Sequence, residues 1–200
     1  MDDLVHAAMA RWPNVSAVYG WLSLSRRGQW LLHPHGGGWG IDPPEPGETM
    51  TNPQILGFIG RNYQADDSGC WFFQNGPQRV YVRLDGAPWI LHTQPGPDAQ
   101  LQLGTHTGQA YGPPSHWWLT HSGLLYAQSA QGAGLVQDHD LAQLLDHLRL
   151  ADGRTLGDSL DDLSADQRPT ISLAGHQAPL GWLDDSTAAD TLGFVRFPVF

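Results

Sequence analysis

The chain contains no lysine. All ten of its basic residues are arginine, set against twenty Asp and Glu, which gives a formal net charge of −10 over 200 residues. A chain this acidic is repelled by nucleic-acid phosphates and by anionic membrane surfaces, so neither is expected as a partner. The Gly36-Gly37-Gly38 run is no phosphate loop, because no Gly-Lys-Ser/Thr follows it. A single cysteine, Cys70, excludes an internal disulfide and any multi-cysteine zinc site. No run approaches eighteen apolar residues, so no membrane-spanning helix is expected. The start MDDLVHAAMARW has neither a basic n-region nor an apolar h-region, and a cytoplasmic location is the expectation. Gly-x-Ser-x-Gly is also missing, and with it the nucleophile elbow. No cofactor is expected, and the absences together point away from an enzyme.

What is present suffices for a core. Hydrophobic residues make up 40% of the chain and charged residues 15%, a balance that excludes wholesale disorder. The spacing of Val5, Ala8, Met9 and Trp12 predicts an amphipathic helix over 2–12, capped by Asp2 or Asp3 and ended by Pro13. Strands are expected over 19–24 and 29–33, joined at Arg26-Arg27-Gly28. A Gly/Pro-rich loop, 34–48, follows. Asn52 as N-cap with Pro53 at the first helical position starts a second helix, which the Asp66-Asp67-Ser68-Gly69 turn stops. The segments 70–74 and 78–84 flank Asn75-Gly76 and read as a hairpin. A strand over 89–93 and a linker over 94–99 close this half.

The second half follows a similar order. Trp118-Leu119-Thr120 and Leu124-Leu125-Tyr126 parallel Trp21-Leu22-Ser23 and Trp30-Leu31-Leu32. A Gly-containing loop over 129–137 precedes a helix capped by Asp140, with Gln143 completing a capping box. The run 167–175 echoes 78–86, and 179–183 echoes 88–91. Residues 154–166 fit either an acidic helical insertion or a decayed strand pair. The expectation is an α+β fold of two tandem β-β-α-β-β-β repeats, each a small antiparallel sheet packed on one helix. Residues 1–95 form the first unit and 96–200 the second.

The run Trp71-Phe72-Phe73-Gln74-Asn75-Gly76-Pro77-Gln78-Arg79-Val80-Tyr81-Val82, followed by Ala87-Pro88-Trp89, resembles the central signature of an uncharacterised proteobacterial domain-of-unknown-function family. Arg11-Trp12-Pro13-Asn14-Val15, Tyr19-Gly20-Trp21-Leu22 and Arg61-Asn62-Tyr63 fit the same pattern. In layout the chain is also similar to a second uncharacterised bacterial family, built from two helix-plus-sheet repeats. The resemblance implies an α+β repeat fold and a binding or regulatory role. It supplies no catalytic residue, cofactor or substrate.

The residues offer few chemical candidates. Arg79, Tyr81 and Arg83 alternate along one strand and share a face, while Val80, Val82 and Leu84 point to the other. Two guanidiniums flanking a phenol could grip a carboxylate or phosphate, with Trp39 from the loop beside them; the plainer alternative is a face whose arginines pair with acids. His33 and His35 could ligate zinc or copper if a third ligand came from elsewhere; the alternative is an exposed loop. Cys70, among aromatics, reads as a buried inert thiol, and Asp66 and Asp67 as a helix-stopping turn. Three functions follow in order. The first is a non-enzymatic binding or regulatory module for an anionic small molecule or acidic peptide. The second is a protein–protein scaffold or homodimer using some of the nine Trp. The third is a metal-dependent enzyme built on His33 and His35.

Overall fold

The computed structural model describes residues 1–37, 39, 46–96 and 100–199. The loop expected over 34–48 and the linker over 94–99 therefore lie partly outside the described residues. The chain is a mixed α+β protein, mostly sheet, that divides into two units. One comprises Met1–Gly86 with the C-terminal segment from Phe194; the other is Ala87–Gly193.

The first unit opens with helix α1 (Asp3–Arg11), close to the predicted span. Val5 is buried, but Trp12 lies half exposed at the helix end and Leu4 faces solvent. Asp2 does not cap α1 with its side chain. Its carboxylate pairs with Arg61 at 3.1 Å instead, and its amide donates to Asn62 Oδ1 at 2.9 Å. Strands β1 (Val18–Leu24), β2 (Trp30–Leu32) and β3 (Glu48–Thr49) follow, then α2 (Pro53–Arg61). Asn52 caps α2 as expected, accepting from the amides of Gln54 and Ile55. Three more strands, β4 (Tyr63–Ala65), β5 (Trp71–Asn75) and β6 (Gln78–Leu84), complete a six-stranded sheet in the order β3-β2-β1-β6-β5-β4. All neighbours are antiparallel except β1 and β6, which run parallel. The register of β1 shifts between Val18 and Leu22, at Gly20, whose φ is +84°.

The C-terminal segment belongs to this unit physically as well. Val195 bridges Cys70 and donates its amide to Gly69 O, and Leu84 donates to Arg196 O at 2.9 Å. The Arg196 guanidinium binds the carbonyls of Leu84 and Asp85.

The second unit contains β7 (Trp89–Pro95), β8 (Leu101–Thr105), β9 (His116–Thr120), β10 (Leu125–Ser129) and β11 (Gly132–Val136). After helix α3 (Asp138–His147) and β12 (Arg149–Leu150) come α4 (Leu156–Ser159), a 3-10 turn at Leu160–Asp162, β13 (Thr170–Leu173), β14 (His176–Leu183) and α5 (Ala188–Leu192). They form an eight-stranded sheet in the order β12-β13-β14-β9-β10-β11-β7-β8. Here β9 runs parallel to β14, and β7 to β11.

The expected class is present, but the expected pair of small repeats is not what the sheets are. They hold six and eight strands, and β7, read above with the first half, belongs to the larger sheet. Six strands of that sheet, β11-β10-β9-β14-β13-β12, do take the neighbours and directions of β3-β2-β1-β6-β5-β4. In this order β6 corresponds to β14, whereas the sequence echo matched 78–84 with β13. The stretch 129–137, read as a loop, contains β11. Its glycine is a packing requirement, since a Cβ on Gly134 would stand 2.6 Å from the Leu91 side chain. Residues 156–162 are helical, the first of the two alternatives. Asp140 lies inside α3 and accepts from Thr93 N and Gln137 Nε2, tying the helix to β7.

One turn is strained. β13 and β14 are joined by Ala174-Gly175, with Ala174 at φ +48°, the left-handed region that penalises a side chain. Ala174→Gly is expected to raise stability by about 1 kcal/mol, read as a higher urea midpoint with an unchanged slope.

Candidate functional site

The arginine ridge on β6 is built as the alternation predicts, but most of it is already occupied. Ser23 pairs with Arg83 across the parallel β1–β6 register, so both lie on one face. Arg83 is 5% exposed. Its Nε donates to Asp85 Oδ1 at 2.9 Å, and its guanidinium also reaches Ser23 Oγ at 3.4 Å. Tyr81 is buried, stacks on Tyr19 with centroids 4.6 Å apart, and donates its hydroxyl to Asp66 Oδ2 at 2.9 Å. Burial, reinforced by that carboxylate, pushes the Tyr81 phenol up. Burial works against the Asp66 charge, yet hydrogen bonds from Ser68, Tyr81 and Cys70 outweigh it and hold the carboxyl below its usual range. Arg79 is exposed, its guanidinium 4.7 Å from the Phe72 ring centroid. The ridge is thus one exposed cation beside a part-buried hydrogen-bonded pair and a part-buried ion pair.

The other candidates separate in a similar way. His33 is fully buried, with Nε2 2.9 Å from Ser23 Oγ. A guanidinium can only donate, so Ser23 Oγ accepts from Arg83 while sharing a second hydrogen bond with His33 Nε2. His35 is exposed. Among the described residues no group of three or more His, Cys, Asp or Glu is arranged to hold a metal. Trp39 donates its indole N–H to Pro198 O at 2.9 Å, which binds it to the C-terminal segment.

A concavity lies on the opposite face of the same sheet. Leu22, Leu32, Val80 and Phe73 face α2 there, and with Ile55, Phe58 and Ile59 from the helix they bound a cavity of about 680 Å³. Phe58 and Phe73 meet edge to face across it, centroids 6.3 Å apart. Trp30, Tyr63 and Trp71 pack together on this face as its closed aromatic part. Trp21 and Ile55 line the cavity while 44% and 45% exposed, so it opens to solvent at these side chains. Among the described residues its polar lining consists of Gln54, Asn75 and Gln78, and no charged residue contributes. Sequence reasoning missed this site. The one usable signal was the glycine pair in α2, Gly57 and Gly60, an odd choice for a helix interior.

Among the described residues no helix is long and apolar enough to cross a membrane. No curated protein matches the chain at a significant level. Among solved structures it is similar to a crystal structure of a DUF1285 family protein from Silicibacter pomeroyi. The identity is 16% and the TM-score 0.47, over 78% of this chain and 92% of that one. A DUF1285 family protein from Shewanella baltica is similar at 13% identity and a TM-score of 0.45, over 64% and 91%. The family model DUF2944, described as a protein of unknown function (DUF2946), matches residues 1–199. The chain therefore belongs to the DUF2944 family of uncharacterised domains.

Proposed function

We propose that the protein is a non-enzymatic binding module of the cytoplasm whose ligand is a largely apolar small molecule. The observation that carries this reading is the 680 Å³ cavity between α2 and the first sheet. Its volume falls inside the range of about 300–1,000 Å³ typical of small-molecule sites, and its walls are aliphatic and aromatic with a few neutral polar groups. The anionic ligand expected at Arg79, Tyr81 and Arg83 is less well supported, because Arg83 and Tyr81 already spend their hydrogen bonds on Asp85, Ser23 and Asp66. The matching strand orders of the two units favour descent from one duplicated three-strand, helix, three-strand element. A scaffold or homodimer role keeps one specific support, the exposed Trp12 and Trp21.

N-phenyl-1-naphthylamine, a neutral apolar fluorophore, should bind with a blue-shifted, saturable signal. Ile55→Glu sets a carboxylate at the mouth on an already exposed helix position, so it should leave the thermal midpoint nearly unchanged and weaken binding at least tenfold, as expected for a charge pressed against an apolar ligand. Absent binding, or equal binding by Ile55→Glu, overturns the reading.

A further inference from the structure

The cavity's walls specify more than apolarity. Among the described residues none that lines the cavity carries a charge, although twenty acids and ten arginines are distributed over the chain. Arg79, the nearest cation along β6, lies on the opposite face with its guanidinium over Phe72. A ligand carrying a carboxylate or an ammonium would find no counter-charge here, and desolvating an unpaired ion is far more costly than desolvating an amide or hydroxyl. A carboxylate meets a second obstacle in the net charge of −10, which repels anions from the whole surface.

What the walls do offer is neutral hydrogen bonding. Asn75 and Gln78 face one another across the β5–β6 hairpin, and both line the cavity. Gln78 Nε2 donates to Ser16 O at 3.1 Å, which fixes that side chain and leaves its carbonyl oxygen as an acceptor. The Asn75 carboxamide supplies both a donor and an acceptor beside it.

Resting on the binding reading above, we infer that the cavity selects amphiphiles whose polar end is an uncharged hydrogen-bonding group, a primary or secondary amide above all, and discriminates against chain-matched acids and amines. The apolar body lies between α2 and the sheet, and the polar end meets Asn75 and Gln78.

The test is displacement of N-phenyl-1-naphthylamine by octanamide, octanoate and octylamine at near-neutral pH. Octanamide should displace the fluorophore at a concentration at least tenfold lower than either ion. In the double variant Asn75→Ala/Gln78→Ala, with each competitor referred to that variant's own fluorophore affinity, the preference for the amide should shrink to threefold or less. Octanoate or octylamine equalling octanamide overturns the selectivity and leaves the binding reading standing. An undiminished preference in the double variant overturns the assignment to Asn75 and Gln78. If the fluorophore itself fails to bind the wild-type chain, both readings fall together.

Discussion

Replacing Gly20 by alanine should destabilise the first unit by about 3 kcal/mol or more, adding a left-handed backbone penalty to a steric overlap. Gly20 sits in the β1 bulge at φ +84°, and a Cβ there would overlap the Gly36 carbonyl oxygen. A flexible side chain could swing aside from such a contact, but a backbone carbonyl moves only with its strand or loop. Gly123 provides the control. Its φ is +83°, nearly the same, and nothing lies within 4 Å of the added carbon. Gly123→Ala should lose about 1 kcal/mol. Urea unfolding followed by tryptophan fluorescence measures both, and equal losses would show that the close approach to Gly36 carries no energetic weight.

Acidification should weaken the second unit through His106. Its ring lies 5.8 Å from that of Trp89, and Ile90 N donates to Nδ1 at 3.3 Å. Burial, helped by the neighbouring His92, lowers its pKa to about 3. The unfolded chain takes up a proton near pH 6.5, whereas the folded chain does so only far below, so the unfolded state binds more protons throughout that interval. Stability is therefore complete at neutral pH and falls as pH drops below about 6.5, by about 1.4 kcal/mol per unit and about 2.7 kcal/mol by pH 4.5. Stopping there separates the histidine from the carboxylates with depressed pKa values, such as Asp66, whose contribution is lost at lower pH. His106→Gln keeps an acceptor without a titrating ring, so its urea midpoint should stay flat over the same interval. A slope unchanged by that substitution would remove His106 from the account.

Much of the local structure was written in short-range chemistry. The Asn52-Pro53 pair marks the start of α2 because an Asx cap and an N1 proline act on adjacent amides. Asn75-Gly76 marks the β5–β6 hairpin for a similarly local reason, with Gly76 at φ +57°. The failures involve information carried by distant residues. β11 was hidden because its glycines read as turn formers, while Gly134 is a glycine to make room for Leu91, some forty positions earlier. Asp140 looked like an N-cap because its partner, Thr93 N, is forty-seven residues away.

The candidate site shows the same division. Alternation placed Arg79, Tyr81 and Arg83 on one face correctly, but a period of two cannot say whether that face meets water or protein. Ser23 and Tyr19, from a strand sixty residues earlier, cover much of it. The cavity left little signature beyond the glycine pair of α2, since its walls come from β1, β2, α2, β5 and β6, and each wall residue reads as ordinary core in its own segment.

The return of Val195 and Arg196 to the edge formed by Gly69 and Leu84 has a consequence for biosynthesis. Everything from Ala87 to Gly193 must leave the ribosome before those last hydrogen bonds can form, an interval of roughly 5–20 s at common translation rates. The later-made unit thus has all of its own strands in hand first, and the earlier-made one waits, unfinished, for Val195 and Arg196 to be made.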